Sequence, residues 1–312
     1  MTSLVLPVAV DIREVGPRDG LQIEAPMAWD DKVAMLEALA RTGARRIEAT
    51  SFVSPRAVPS MADAEQVAEL VQRWSGIHWS SLVASVNGAR RSIAAGLPHL
   101  EYVVSASDAH SRANVGRGTE ESIALIGEIA DLTHAAGGAL EVIVATAWDC
   151  PFAGRTPPEA TVHVLREAVA RGADALALGD TIGTTTPRRV VDLVEDAREM
   201  LEASDRTGTV DIGVHFHDTR GTGIANALAA VQAGVTSLDA SVGGLGGCPF
   251  APGASGNIAT EELVYMLEES GVETGIDLDA VLEAAAATEK GVGHALPSSL
   301  YRAGGRSVPR PA

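Results

Sequence analysis

The sequence predicts a (β/α)8 barrel of the TIM type, and three observations carry the prediction. Eight short β-rich runs recur along the 312 residues at about the spacing of one βα unit. Longer amphipathic or Ala-rich segments alternate with them. No composition break divides the chain, so residues 1–303 are expected to form one domain. A doubly wound sheet is the alternative, and the strand count favours the barrel.

The elements follow in order. The first run, Val8–Glu14, leads to a helix over Trp29–Arg41 that ends at Thr42-Gly43, a glycine stop. Arg46–Thr50 is the second run and Ala62–Trp74 its helix; Trp79–Ala84 is the third. Glu101–Ser105 precedes one long helix, Glu120–Ala136, and Glu141–Thr146 precedes Pro158–Arg171. That helix starts where Thr156 stands before Pro157, and the next, Arg188–Ala203, follows Thr186-Pro187; both place a capping hydroxyl before proline. Ala175–Leu178, Asp211–His217 and Ser237–Ser241 complete the strands, with Gly223–Ala233 between the last two. Thr260–Ser270 closes the barrel and Leu278–Glu289 is a short extra C-terminal helix. Residues 304–312, rich in Arg and Pro, read as a disordered tail.

Composition narrows the function classes. A hydrophobic content of 46% with only 4% aromatics describes a core of Ala, Val, Leu and Ile. A net charge of −17 argues against nucleic acid and anionic membrane as partners, since both need clustered Lys and Arg. No apolar run has the length of a membrane span, and Met1–Pro7 carries no charged leader, so a cytoplasmic location is expected. Two cysteines, Cys150 and Cys248, suit a reducing compartment. Lys32 and Lys290 are the only lysines and neither falls at a strand end. Schiff-base chemistry therefore lacks its amine, and a metal becomes the more plausible electron sink.

The polar groups gather at the C-terminal ends of the runs, where barrels of this kind do their chemistry. His215 and His217 lie two apart on one strand and so share a face. Such a pair commonly holds a divalent metal, and a hydrogen-bonded histidine pair is the equal alternative. The first run ends in Arg18-Asp19-Gly20-Leu21-Gln22, the second carries Glu48, and the sixth ends in Asp180. Singly these read as a solvated ion pair, a partner for arginine and a helix cap. Converging on one mouth, Asp19, His215, His217 and Asn257 would form a mixed nitrogen and oxygen site for Mg²⁺ or Mn²⁺, tolerant of Zn²⁺ or Co²⁺. The glycine-rich stretch Gly243–Asn257 reads as a mobile lid that carries Cys248, with a phosphate cradle and a plain flexible connector as alternatives.

Four stretches closely resemble the 3-hydroxy-3-methylglutaryl-CoA lyase family of barrel metallolyases. They are Glu14–Gln22, Ile47–Pro55, Leu178–Gly183 and Gly243–Asn257, and the likeness covers about residues 8–285. The resemblance implies a retro-Claisen cleavage of an acyl-CoA with Asp19, His215, His217 and Asn257 as metal ligands. It implies Arg18 at the enolate oxygen, Cys248 as proton donor, Glu48 and Asp180 orienting Arg18 and moving protons, and Asp19 or His215 as base. Substrate contacts are expected from Gln22, Ser51, Ser107, Asn114, Cys150 and Arg220, and the expected assembly is a homodimer. The chain departs from the family pattern at Ile23, Ala25, Ala57, Ala84, Ser85, His110, Asp149 and Arg220. Several of these positions follow strands and would face the substrate, so citramalyl-CoA or a longer-branched 3-hydroxyglutaryl-CoA is the nearest rival substrate. A condensing synthase of the same superfamily would need a further C-terminal region, and a phosphosugar aldolase would not need the Cys248 loop. A non-catalytic binding paralogue would not need every metal and catalytic position.

Overall fold

A computed structural model describes residues 5–206, 208–247 and 256–304. Eight parallel strands close into a barrel: β1 (Asp11–Glu14), β2 (Arg46–Phe52), β3 (His78–Val83), β4 (Leu100–Ser105), β5 (Leu140–Ala145), β8 (Ala175–Asp180), β9 (Asp211–Phe216) and β10 (Ser237–Ala240). Between β5 and β8 the chain makes a two-stranded antiparallel ribbon, β6 (Asp149–Cys150) with β7 (Gly154–Arg155). Around the barrel the order is β1, β10, β9, β8, β5, β4, β3, β2, so every barrel strand pairs with its chain neighbour and β1 closes on β10. Each strand is buried on both sides, which is why the runs read as apolar rather than alternating.

Helices cover the outside, and Leu278–Val292 packs against Trp29–Leu39. A last short helix, Ser299–Ala303, follows it. The tail expected at 304–312 lies outside the described residues from 305 onward. No helix among the described residues is long and apolar enough to cross a membrane.

Three differences from the sequence expectation have local causes. The first strand begins at Asp11 rather than Val8, because Val10 N–H donates to Glu273 O and so leaves the barrel ladder. A helix over Val86–Ala94, capped by the Ser85 hydroxyl accepting from Gly88 N, follows β3. The long helix expected over Glu120–Ala136 is two, Thr119–Ile123 and Ile126–Ala135. At the joint the Ser122 carbonyl accepts from Leu125 N and from the Tyr102 hydroxyl at 3.0 Å, so it makes no α-helical bond.

Candidate metal centre

Three separate devices bring the polar cluster to the C-terminal mouth of the barrel. After β1 the chain makes a π-helical turn over Gly16–Gly20, in which the amides of Asp19 and Gly20 both donate to Val15 O. This turn places Arg18 and Asp19 over the barrel. A Cβ at Gly16 would meet Glu14 Oε1 at 2.6 Å and Val242 Cγ1 at 2.9 Å, so a larger residue there would have to displace them. On β9, His215 sits in the ladder opposite Asp239 of β10, and His217 follows one step beyond the strand. The returning limb of the 243–257 loop then pairs with β9: Asp218 N donates to Gly256 O and Ile258 N to Phe216 O. That pairing sets Asn257 beside His217. Gly246 (φ 118°) approaches so closely that a Cβ would lie 2.5 Å from Asn257 Nδ2.

Asp19, His215 and His217 each present one ligand atom, and these atoms lie within 4.8 Å of one another. His215 Nε2 is 3.2 Å from His217 Nε2, and the two nitrogens are 3.8 and 3.9 Å from Asp19 Oδ2. His215 Nδ1 lies 3.0 Å from Asp239 Oδ2, an ionised acceptor that fixes the proton on Nδ1 and leaves an Nε2 lone pair facing Asp19. Asn257 donates to Asp19 Oδ2 (2.7 Å) and to Leu245 O (3.0 Å), while its own Oδ1 is buried with no partner. An orphaned amide oxygen beside a carboxylate and two imidazole nitrogens is a donor set short of a cation, so these residues fit a divalent metal. Burial works to raise the Asp19 pKa, but Arg18 and the two imidazoles hold it well below the usual carboxylate range. The ligand is thus ionised at neutral pH.

Arg18 lies beneath this cluster, 5% exposed, with Nη1 2.5 Å from Asp19 Oδ1 and 3.3 Å from Gln22 Oε1. Its Nη2 is 2.7 Å from Glu48 Oε2 but off the N–H axis, so the buried Glu48 carboxyl has no well-directed donor among the described residues. Burial, with repulsion from Glu101 and against the attraction of Arg18, pushes Glu48 up to about 8.

A cavity of about 530 Å³ opens from this cluster across the barrel mouth. It is lined by Arg18, Asp19, Gln22, His215, His217 and Asn114 of the residues singled out from sequence. Ala57, Ala84, Ser85 and His110, four of the departures from the family pattern, line it too. Ser51, Ser107, Cys150 and Arg220 do not. Ser51 is buried in β2, the Ser107 hydroxyl donates to Cys150 Sγ at 3.0 Å, and Arg220 Nη1 donates to the carbonyls of Ile182 and Gly183. Of the other departures, Asp149 accepts from Thr184 Oγ1 and Arg189, away from the cavity, and Ile23 and Ala25 are exposed. Asp180 accepts from the amides of Thr184 and Thr185 and makes no contact with Arg18, so it shapes the turn that carries Thr181 to the cavity wall. Cys248 and the crest of its loop lie outside the described residues.

Sequence reasoning missed Arg91 and Arg117, which also line the cavity. Arg91 comes from the helix after β3, and Arg117 sits on the connection between the helix Asp108–Val115 and the next. It also missed Asp239, whose signal was present as a buried acid between Leu238 and Ala240 in the last strand.

A closed parallel barrel with an Asp/His/His/Asn cluster at the mouth of its strands defines a class, the (β/α)8 enzymes built around a metal. Within it, the chain belongs to the HMGL-like family, whose sequence model matches residues 9–287. It is 39% identical over 293 residues to the hydroxymethylglutaryl-CoA lyase YngG of Bacillus subtilis, covering 94% of this chain and 96% of that one. It is 40% identical over 307 residues to the (R)-citramalyl-CoA lyase of Chloroflexus aurantiacus, covering 95% of each. The solved structure of an HMG-CoA lyase from Acinetobacter baumannii in complex with coenzyme A and 3-methylmalate superposes with a TM-score of 0.89. That match has 38% identity and covers 98% of both chains.

Proposed function

We propose that this protein cleaves 3-hydroxy-3-methylglutaryl-CoA, or a close 3-hydroxy diacid thioester, to acetyl-CoA and a 3-oxo acid. The observation that carries the reading is the meeting of Asp19, His215 and His217 with Arg18 at one cavity, with Asn257 held against Asp19 and its amide oxygen unpartnered. The oxygen-and-imidazole donor set suits Mg²⁺ or Mn²⁺ and tolerates Zn²⁺ or Co²⁺; such an ion supplies Lewis acidity that makes a tertiary hydroxyl easier to deprotonate. Asp19 takes the C3 hydroxyl proton. As C3 becomes a carbonyl, the C2–C3 bond breaks and its electron pair passes to the thioester. The Arg18 guanidinium, whose Nε has no partner, donates to the enolate oxygen that forms. Cys248 returns a proton to C2, and Glu48 beside Arg18, whose affinity for a proton burial raises, relays protons for that transfer.

A second reading rests on the opposite wall. Strand order puts β3, β4 and β5 across from β9, β10 and β1, and there Leu82, Val103, Ile143 and Ala145 face the cavity. An apolar wall accepts an alkyl substituent at C3 larger than methyl, and the similarity to a citramalyl-CoA lyase widens the choice of acid. Acetyl-CoA release should be followed in a coupled assay over HMG-CoA, citramalyl-CoA and longer-branched 3-hydroxyglutaryl thioesters with Mn²⁺. The highest kcat/KM names the substrate. Cleavage of none of them sinks the lyase reading.

A further inference from the structure

Inside the barrel, below the metal cluster, one arginine is surrounded by three carboxylates. Arg13 is 1% exposed on β1. Its Nε and Nη2 form a fork with Asp239, each bond 2.8 Å long, and its Nη1 reaches Glu101 at 2.9 Å and also contacts Glu141. The strand register explains the arrangement. Arg13 pairs with Asp239 and Asp239 pairs with His215, so one row across β1, β10 and β9 points all three inward. Asp239 Oδ2 is shared, accepting from Arg13 Nη2 on one side and from His215 Nδ1 on the other.

We infer that Arg13 is a positioning residue for the metal centre. It holds Asp239 in the one orientation that keeps the proton on His215 Nδ1 and turns Nε2 toward Asp19. A carboxylate held by a bidentate guanidinium cannot rotate without breaking two charge-assisted hydrogen bonds. Glu101 and Glu141 hold the guanidinium in turn, so the orientation of His215 is set from the barrel floor. Partners that orient a ligating histidine are generally worth 10–100-fold in metal affinity. A lysine at this position keeps the charge but cannot fork Asp239 while also reaching Glu101. The inference rests on the metal reading of the site, not on the lyase reaction.

The test is Mn²⁺ affinity of the whole protein without substrate, read by titration calorimetry or electron paramagnetic resonance. Arg13→Lys should bind Mn²⁺ about 10-fold more weakly. Asp239→Asn should lose at least as much, and the double variant no more than Asp239→Asn alone. Imidazole ¹⁵N shifts of metal-free protein should show His215 protonated on Nδ1 in the native chain and a tautomer mixture in Arg13→Lys. If Arg13→Lys does not fold, Arg13→Met with Glu101→Gln and Glu141→Gln removes the charged floor as a unit, a change that is often tolerated. That triple variant should still bind Mn²⁺ weakly, because Asp239 is loose. Native affinity in a folded Arg13 variant, with Asp239→Asn weakened, overturns the role of Arg13. A native chain that takes up no Mn²⁺ overturns the metal reading and this inference together.

Discussion

Replacing Arg18 by glutamine separates two roles that the geometry superimposes on one side chain. Its charge centre lies on the order of 4 Å from that of Asp19, a gross attraction on the order of 4 kcal/mol at an effective dielectric of about 20. Losing the pair lets the Asp19 pKa rise, while the two imidazoles still hold it down. Asp19 starts well below its ordinary 3.8, so it stays ionised at pH 7.5 and remains a ligand. Glu48, already pushed up by burial against the pull of Arg18, becomes still harder to ionise, so its carboxyl is not left as a bare charge. The fold and the metal site should therefore survive, and Mn²⁺ affinity at pH 7.5 should fall less than about 10-fold. What is lost is the donor to the enolate oxygen, about 2.7–4 kcal/mol or 10²–10³ in kcat. Steady-state acetyl-CoA release with Mn²⁺ calorimetry on the same sample measures both. A kcat within 10-fold of native, or a loss restored by added metal, refutes the enolate role of Arg18.

Other outcomes follow from the same geometry. Cys248→Ala should cripple turnover while Mn²⁺ affinity stays at the native value; full activity in that variant removes Cys248 from the proton transfer. Glu14 is buried between the amides of Gly16 and Val242 and the Thr260 hydroxyl, and burial raises its pKa from 4.5 to about 7. A folded value above the unfolded one means the folded state holds more protons between pH 4.5 and 7, so this group favours folding below 4.5 and that contribution is lost as pH rises through 7. Glu14→Gln should flatten the fall of stability across that window by roughly 1.4 kcal/mol per pH unit, read from urea midpoints. An unchanged slope means Glu14 does not titrate there.

The parts of this protein legible in sequence are those set by local pattern. Strands buried on both faces give apolar runs at even spacing, and the two histidines share a face because they lie two apart. Asp19, His215 and His217 could be grouped once the barrel was counted, since barrels gather strand ends at one mouth. Register is different. Nothing local says that Arg13 lies level with Asp239, 226 residues away, or that Asp239 lies level with His215. The break between Thr119–Ile123 and Ile126–Ala135 was equally hidden, because the Tyr102 hydroxyl that competes for Ser122 O comes from β4. Ser107 and Cys150 satisfy each other instead of lining the cavity, a choice made by packing rather than by residue type. Asp180 had both meanings in sequence, and the Thr184 and Thr185 amides give it the turn-shaping one.

Under the proposed function, Asp19, His215, His217 and Asn257 hold a metal on which carbon–carbon cleavage depends. Acetyl-CoA release from HMG-CoA should be measured on protein stripped with EDTA, and again as Mn²⁺ is returned stepwise. Activity should vanish on stripping and return in proportion to bound Mn²⁺, saturating at one ion per chain. Undiminished cleavage by protein shown to be free of metal would mean that the reaction does not run through a metal held by these four residues.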